Sequence, residues 1–243
     1  MSSGGRGRCD SERAYVLHAY PFRETSLVVE VFSRNHGRLG LVARGARRPR
    51  SALRGLLLAF QPLLLSWAGK SELRTLHKAE WQGGMPPLRG TALMCGFYVN
   101  ELLVKLLARD DPHEALFDLY DCALRDLAAA PSPEPVLRGF ERALLRELGY
   151  ALPLDRDAET GNPVEPAASY VYLIERGPVR SHRGAGENQL ELAGRTLLAM
   201  TRDDYSDPLT LQQSKALMRS IINHYLGQQT LHTRQLLIDL HQL

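Results

Sequence analysis

The sequence "AYVLHAYPFRETSLVVEVFSRNHGRLGLVAR", residues 14–44, determines the fold of the first third of the chain. It contains three short segments rich in Val, Leu and aromatic residues, separated by turn formers such as Pro21 and Gly37. This composition is typical of β-strands joined by tight turns. Two similar segments follow at residues 62–68 and 72–81. Five strands over such a short length predict a small closed barrel.

The alternation of residues in the third strand indicates which side chains face the barrel core. In residues 37–44 a period of two puts Leu39, Leu41 and Ala43 on one face, and Arg38 and Arg44 on the other. We therefore expect the apolar set to fill the barrel and the arginines to face away from its core.

A dense positive charge surrounds this strand. After Arg44 the alternation breaks into "GARRPRSALRG", residues 45–55, whose glycine and proline indicate a loop. Residues 31–71 contain seven Arg, one Lys and no Asp or Glu, a net charge of +8 in a chain of net +3, which leaves −5 for the rest. A surface of one sign attracts a polyanion. We therefore expect a nucleic-acid surface that contains Arg38, Arg44, Arg47, Arg48, Arg50 and Arg54.

Aromatic residues on the neighbouring strands allow two interpretations. They offer either platforms on which bases stack or large side chains for the barrel core. The core interpretation is favoured, because so small a barrel needs large residues inside. The residues concerned are Tyr15, Tyr20, Phe22, Phe32 and Trp67.

The pattern changes after the strands and indicates an α+β protein. Apolar residues at helical intervals predict a mainly α-helical domain made of residues 83–150 and 196–243. Residues 13–82 form the predicted barrel domain, and residues 151–195 are an irregular insertion with a β-hairpin. Residues 1–12 have no apolar stretch, so we expect a disordered tail there.

Several classes of function are disfavoured by the sequence. It has no phosphate-binding glycine loop, and its eight histidines show no recognised metal-ligand spacing. Its three cysteines are odd in number and widely spaced, which argues against a disulfide framework and paired zinc ligands. The apolar runs are shorter than the roughly 20 residues of a membrane-spanning helix. We expect a cytoplasmic protein with no catalytic residues, no cofactor, no metal and no membrane contact.

The order of several motifs carries a resemblance to a known family. Residues 14–65, which include the "RETS" turn and the "ARGARR" segment, resemble the amino-terminal oligonucleotide-binding (OB) barrel of the RecO family of recombinational repair proteins. The similarity continues through "GFYVNELLVKLL" (96–107), "PEPVLRGFERALLRELGY" (133–150) and "YLGQQTLHTRQLL" (225–237). It covers nearly all of residues 13–240.

The resemblance implies a non-enzymatic recombination mediator. Members of the family bind single- and double-stranded DNA, anneal complementary strands, contact the acidic tail of single-strand binding protein, and act with RecR to load RecA onto coated DNA. It implies that the six arginines above are the DNA-binding residues, and that the protein works in the cytoplasm at the nucleoid.

One departure from the family concerns metal. Many relatives place a four-cysteine zinc site directly after the "LGY" at residues 148–150, but residues 151–195 contain no cysteine. The resemblance therefore implies a small zinc-finger-like insertion that lacks zinc. We expect packing and the hairpin to hold it together, and we expect it to be the least stable part of the chain.

The resemblance also implies a second site, for the tail of single-strand binding protein. That tail is acidic and ends in phenylalanine, so it needs an apolar pocket rimmed by cations. The expected carboxylate partner is Arg138, and the other pocket candidates are Arg142, Phe97, Phe140 and Leu144. The alternative for Arg142 is an ordinary ion pair with a neighbouring glutamate, or exposure to solvent.

Two alternative functions remain open at the level of sequence. The barrel suits an RNA-binding module as well as a DNA-binding one, since no residue indicates recognition of a 2′-hydroxyl. The basic loop also suits a scaffold that grips an acidic protein partner.

Overall fold

The computed structural model describes residues 7–181 and 190–235. The described residues form two compact units, one of residues 7–129 with 231–235 and one of 130–181 with 190–230. The elements in chain order are β1 (Arg8–Phe22), β2 (Ser26–Ser33), β3 (Gly37–Ala43), α1 (Leu53–Leu56), β4 (Leu63–Ala68), β5 (Leu73–Trp81), α2 (Gly90–Leu106), α3 (Glu114–Ala129), α4 (Glu134–Glu147), β6 (Ser169–Leu173), β7 (Gly177–Arg180), β8 (Glu191–Ala193), α5 (Gly194–Thr201) and α6 (Pro208–Leu226).

The five amino-terminal strands close into a barrel in the order β1-β2-β3-β5-β4. All neighbouring strands are antiparallel except β3 and β5, which are parallel. Leu39, Leu41 and Ala43 are buried as the alternation predicted, and they pack in one apolar core with residues from β1, β2 and β4. The predicted fold class, a five-stranded OB-type barrel followed by helices, is confirmed.

The barrel begins earlier in the chain than predicted. β1 starts at Arg8, and Arg8 and Cys9 pair with Ala68 and Trp67 of β4. The predicted disordered tail is therefore wrong for residues 8–12, whereas residues 1–6 lie outside the described residues. The polar composition of this segment misled the prediction, because an added strand gains its backbone hydrogen bonds from its neighbour and needs no apolar pattern.

One buried amide joins the barrel to the first two long helices. The Asn100 side chain on α2 donates to the carbonyl oxygen of Leu17 on β1 at 2.9 Å. The Tyr120 hydroxyl on α3 donates to Asn100 Oδ1 at 2.6 Å. The next residue, Glu101, accepts hydrogen bonds from the backbone N–H groups of His232 and Thr233. These bonds explain why α2 and α3 belong to the barrel's unit, and not to the helical domain predicted from residue 83 onward.

The second unit contains α4, α5, α6 and a three-stranded sheet in the order β7-β6-β8. The predicted hairpin is present as β6 and β7, and it turns through Gly177, whose φ of +111° suits glycine. The predicted insertion of residues 151–195 includes residues 182–189, which lie outside the described residues. Among the described helices, none combines the length and the apolar character that crossing a membrane would take.

A buried carboxylate organises the irregular segment before the sheet. Asp157 accepts hydrogen bonds from the backbone N–H groups of Glu159, Thr160 and Arg180 at 2.8–2.9 Å. Burial alone raises the pKa of Asp157, but these backbone donors outweigh it and hold the pKa below its ordinary value. Hydrogen bonds to the Asp157 carboxylate thus fasten this segment to β7. They act in addition to the packing and the hairpin that we expected from the sequence.

Candidate nucleic-acid interface

Strand register brings three segments to one end of the barrel. Leu27 pairs with Ala43, so the turn between β1 and β2 lies where the chain leaves β3. β5 runs parallel to β3 with Val42 opposite Thr75, and it continues for several residues beyond that pair to Trp81. We call the surface formed by residues 23–25, 44–62 and 77–81 the arginine end.

The loop after β3 is anchored to this end. The Arg47 backbone N–H donates to the carbonyl oxygen of Thr25 at 2.8 Å. The Arg47 guanidinium donates to the carbonyl oxygens of Arg23 and Glu24 at 3.3 and 3.2 Å. Ala46 is fully buried in the barrel core. The loop is therefore fixed at its centre, and the side chains of Arg44, Arg48 and Arg50 on either side of this anchor are exposed.

Four arginines of this loop have no side-chain partner among the residues that the structure describes. Within residues 7–181 and 190–235, the side chains of Arg44, Arg48, Arg50 and Arg54 are exposed and form no ion pair or hydrogen bond. Arg47 bonds only to carbonyl oxygens, so its charge is not neutralised. A guanidinium group that has no carboxylate partner can bind phosphate without first breaking an ion pair.

Arg38 differs from the other five predicted residues. Its side chain is only 14% exposed, and it donates to Glu30 Oε2 and to the carbonyl oxygen of Leu107, both at 3.0 Å. Glu30 is buried and also binds Arg109. The sequence window around Arg38 has no acid, but β2 places Glu30 opposite Gly40, diagonal to Arg38. Arg38 therefore neutralises a buried carboxylate beside the barrel.

The aromatic residues divide between the core and the surface. Trp67 is buried in the barrel core, as the favoured interpretation predicted. Tyr15 and Phe32 are also buried, but outside that core, where their rings contact Phe117 of α3, so the barrel-core interpretation is wrong for these two residues. Tyr20 is partly exposed beside His18. Sequence reasoning missed Trp81, the last residue of β5, which is 60% exposed at the arginine end. Its signal in the sequence was its position at a strand end, two residues before the pair Gly83 and Gly84.

Sequence reasoning also missed Arg23, an exposed residue in the turn that anchors the loop. Its guanidinium lies 5.3 Å from the centre of the Phe22 ring. The signal was the "RETS" turn itself, which contributed to the resemblance but was not assigned to the surface.

The residues predicted for the tail pocket are placed differently by the structure. On α4, Arg138 is buried and donates to Glu141 Oε1 at 2.6 Å, and Arg142 is ion-paired with Asp203. Phe140 and Leu144 are buried core residues of the same helix. Phe97 belongs to the other compact unit, where its exposed ring contacts Phe60 at 5.0 Å. The two cations on α4 thus already hold carboxylate partners.

The fold and this surface define a class of protein: a nucleic-acid-binding barrel of the OB type, extended by helices. Family models described as "Recombination protein O N terminal" and "Recombination protein O C terminal" match residues 10–85 and 88–235. The chain therefore belongs to the RecO family of DNA repair proteins.

Curated relatives match over almost the whole chain. The chain is 60% identical over 236 residues to the DNA repair protein RecO of Nitrosospira multiformis, across 97% of this chain and 98% of the relative. It is 56% identical to the RecO proteins of Aromatoleum aromaticum, across 97% of this chain and 98% of the relative, and of Dechloromonas aromatica, across 98% and 99%.

Proposed function

We propose that this chain is a non-enzymatic recombination mediator that binds single- and double-stranded DNA and anneals complementary strands. The observation that carries the proposal is the group of four exposed arginines without partners at one end of an OB-type barrel, in a chain of the RecO family. We place this activity in the cytoplasm, at the nucleoid, because the DNA is there.

The arginine end suits phosphate binding without sequence preference. Its cations lie on a loop and are exposed to solvent, and guanidinium groups bind phosphate oxygens, which are the same in every nucleotide. Each phosphate contact on a single strand changes the slope of log affinity against log salt by about −0.7. Five contacts, from the four unpaired arginines and Arg47, give a slope of about −3.5.

Annealing follows from the same charges. Cations that neutralise the phosphates of two strands lower the repulsion between them, and the bases stay free to pair. Nucleotide hydrolysis is not needed for this step. Trp81 adds a ring on which an unpaired base can stack, which favours single strands over duplex.

A strand-annealing assay tests the proposal. Two complementary oligonucleotides with a donor and an acceptor dye pair faster when the protein is added without ATP. Replacing Arg44, Arg48 and Arg50 by Glu abolishes this acceleration. A matched control replaces three exposed cations of the second unit, Arg195, Lys215 and Arg219, by Glu and retains it.

Three results would contradict the proposal. If both triple variants lose activity equally, total charge and not the arginine end is responsible. If RNA of the same sequence competes with DNA at equal concentration, the RNA-binding alternative is favoured. If neither nucleic acid binds but an acidic protein does, the scaffold alternative is favoured.

The protein partners that we propose are RecR, through which RecA is loaded onto coated DNA, and the tail of single-strand binding protein. Tail binding on α4 requires the peptide carboxylate to replace the Asp203 carboxylate on Arg142. An acidic peptide ending in phenylalanine should bind the Arg142→Ala variant more weakly. Arg146→Ala is the control, because Arg146 is exposed on the same helix. Equal binding to all three proteins would exclude this site.

A further inference from the structure

Three metal-ligating side chains converge at the end of the barrel opposite the arginine end. Cys9 and Glu12 lie on β1, and His36 lies in the turn between β2 and β3. The Cys9 Sγ, a Glu12 carboxylate oxygen and a His36 ring nitrogen all lie within 4.8 Å of one another. This cluster is separate from residues 151–195, on which the expectation of no metal was based.

A β-bulge gives Cys9 and Glu12 a common face. Residues three apart on a regular strand point to opposite faces. Here the register of β1 against β4 shifts between Cys9 and Glu12. Within the bulge, Ser11 has a φ of +55° and its N–H donates to Ser66 Oγ at 3.0 Å. A positive φ at a residue other than glycine is strained, and such strain is concentrated at functional sites.

His36 presents an unsatisfied nitrogen to this face. Its Nδ1 is buried and, in the described part of the chain, has no hydrogen-bond partner. It lies 3.9 Å from Glu12 Oε2, and the edge-to-face contact with Trp67, at 5.3 Å between ring centres, orients the ring. A buried polar atom without a partner costs free energy, and the lone pair of a neutral imidazole is a common metal ligand.

Glu12 is oriented by its neighbours in the way that ligating carboxylates are. Its Oε1 accepts a hydrogen bond from the Asn35 N–H at 2.7 Å, and its Oε2 accepts one from Asn35 Nδ2 at 3.0 Å. Each carboxylate oxygen has two lone pairs, so Oε2 retains one for a cation. Such outer hydrogen bonds fix a ligand's geometry and raise metal affinity.

We propose that Cys9 Sγ, the Glu12 carboxylate and His36 Nδ1 bind one Zn²⁺ ion, with water as the fourth ligand. A sulfur, an imidazole and a carboxylate together select zinc over magnesium or calcium. Zinc–ligand lengths of about 2.0–2.3 Å in tetrahedral geometry put donor atoms about 3.4–3.6 Å apart. Small rotations of the partly exposed Cys9 and His36 side chains bring the donors to that spacing. The ion fastens the first residues of β1 to the β2–β3 turn.

Cobalt(II) serves as the spectroscopic probe for this site. The full chain, freed of metal by a chelator, is titrated with Co²⁺ and followed by absorption, and bound metal is measured by elemental analysis. We expect one ion per chain, the visible bands of a four-coordinate ion and a thiolate-to-metal charge-transfer band. Zn²⁺ should displace Co²⁺ from the site. It should also raise the midpoint temperature of thermal unfolding, because the zinc ion binds the folded chain and not the unfolded one.

Matched variants assign the ligands. Cys9→Ser should remove the charge-transfer band, and His36→Gln should weaken binding roughly 100-fold. The controls are Cys122→Ser, which changes an exposed thiol on α3, and His77→Gln, which changes an exposed imidazole on β5; both should bind like the parent. Absence of stoichiometric binding by the parent chain, or loss of the band in Cys122→Ser and not in Cys9→Ser, would overturn the proposal.

Discussion

The most quantitative prediction concerns the triple variant Arg44→Ala, Arg48→Ala and Arg50→Ala. The proposed surface has five cations that can contact phosphate: Arg47 and the four arginines that have no partner among the described residues. Removing three of them should reduce the single-strand salt slope from about −3.5 to about −1.4. At about 0.1 M salt each contact contributes about 0.7 log units, so the variant should bind about 100-fold more weakly, a loss of about 3 kcal/mol.

The assay is the fluorescence anisotropy of a labelled single-stranded oligonucleotide, titrated at several salt concentrations between about 50 and 200 mM. The three side chains are exposed, so the free energy of unfolding should change by less than about 0.5 kcal/mol. The control replaces Arg195, Lys215 and Arg219 by Ala and should keep the parental slope. An unchanged slope in the first variant would refute the assignment of the arginine end.

Three further predictions concern single residues. Trp81→Ala should weaken single-strand binding about tenfold and leave duplex binding nearly unchanged, since duplex bases are already stacked; equal losses in anisotropy titrations of both DNAs would argue against stacking. Asn100→Ala removes the buried hydrogen bonds to Leu17 and Tyr120 and should lower the free energy of unfolding by about 2–3 kcal/mol, measured in urea; a loss under about 0.5 kcal/mol would show that the amide does not hold β1, α2 and α3 together. The lowered pKa of Asp157 means that its stabilisation is present above the ordinary pKa of about 3.9 and is lost as the pH falls through the folded value. Asp157→Ala should therefore lower the thermal midpoint by several degrees at neutral pH but little below the folded pKa, and a variant that melts like the parent at both pH values would contradict this role.

The barrel could be predicted from the sequence because its strands alternate. Leu39, Leu41 and Ala43 reveal the inner face of β3, since a half-buried strand needs apolar residues at every second position. The amino-terminal cap of α6 is local in the same way: the Asp207 carboxylate accepts a hydrogen bond from the Thr210 N–H three residues later. Both features depend only on residues that are close together in the sequence.

Features that depend on distant residues were not predictable in the same way. The bulge at Ser11 brings Cys9 and Glu12 to one face, but it arises from pairing with β4, far along the chain. Arg38 looks as free as Arg44 in sequence, and only the register of β2 reveals Glu30 beside it. Charge density in the sequence was thus enough to predict the exposed arginines of the loop after β3. It was not enough to predict which side chains are brought together by the pairing of strands, such as Arg38 and Glu30.

We propose that the arginine end is the surface that binds DNA. Hydrogen–deuterium exchange of the full chain, with and without a saturating single-stranded oligonucleotide, tests this most directly. We expect slower exchange of backbone amides in residues 44–56 and 23–25, and unchanged exchange at the opposite end, in residues 34–36 and 69–72. Protection at the opposite end, with the loop after β3 unaffected, would contradict it.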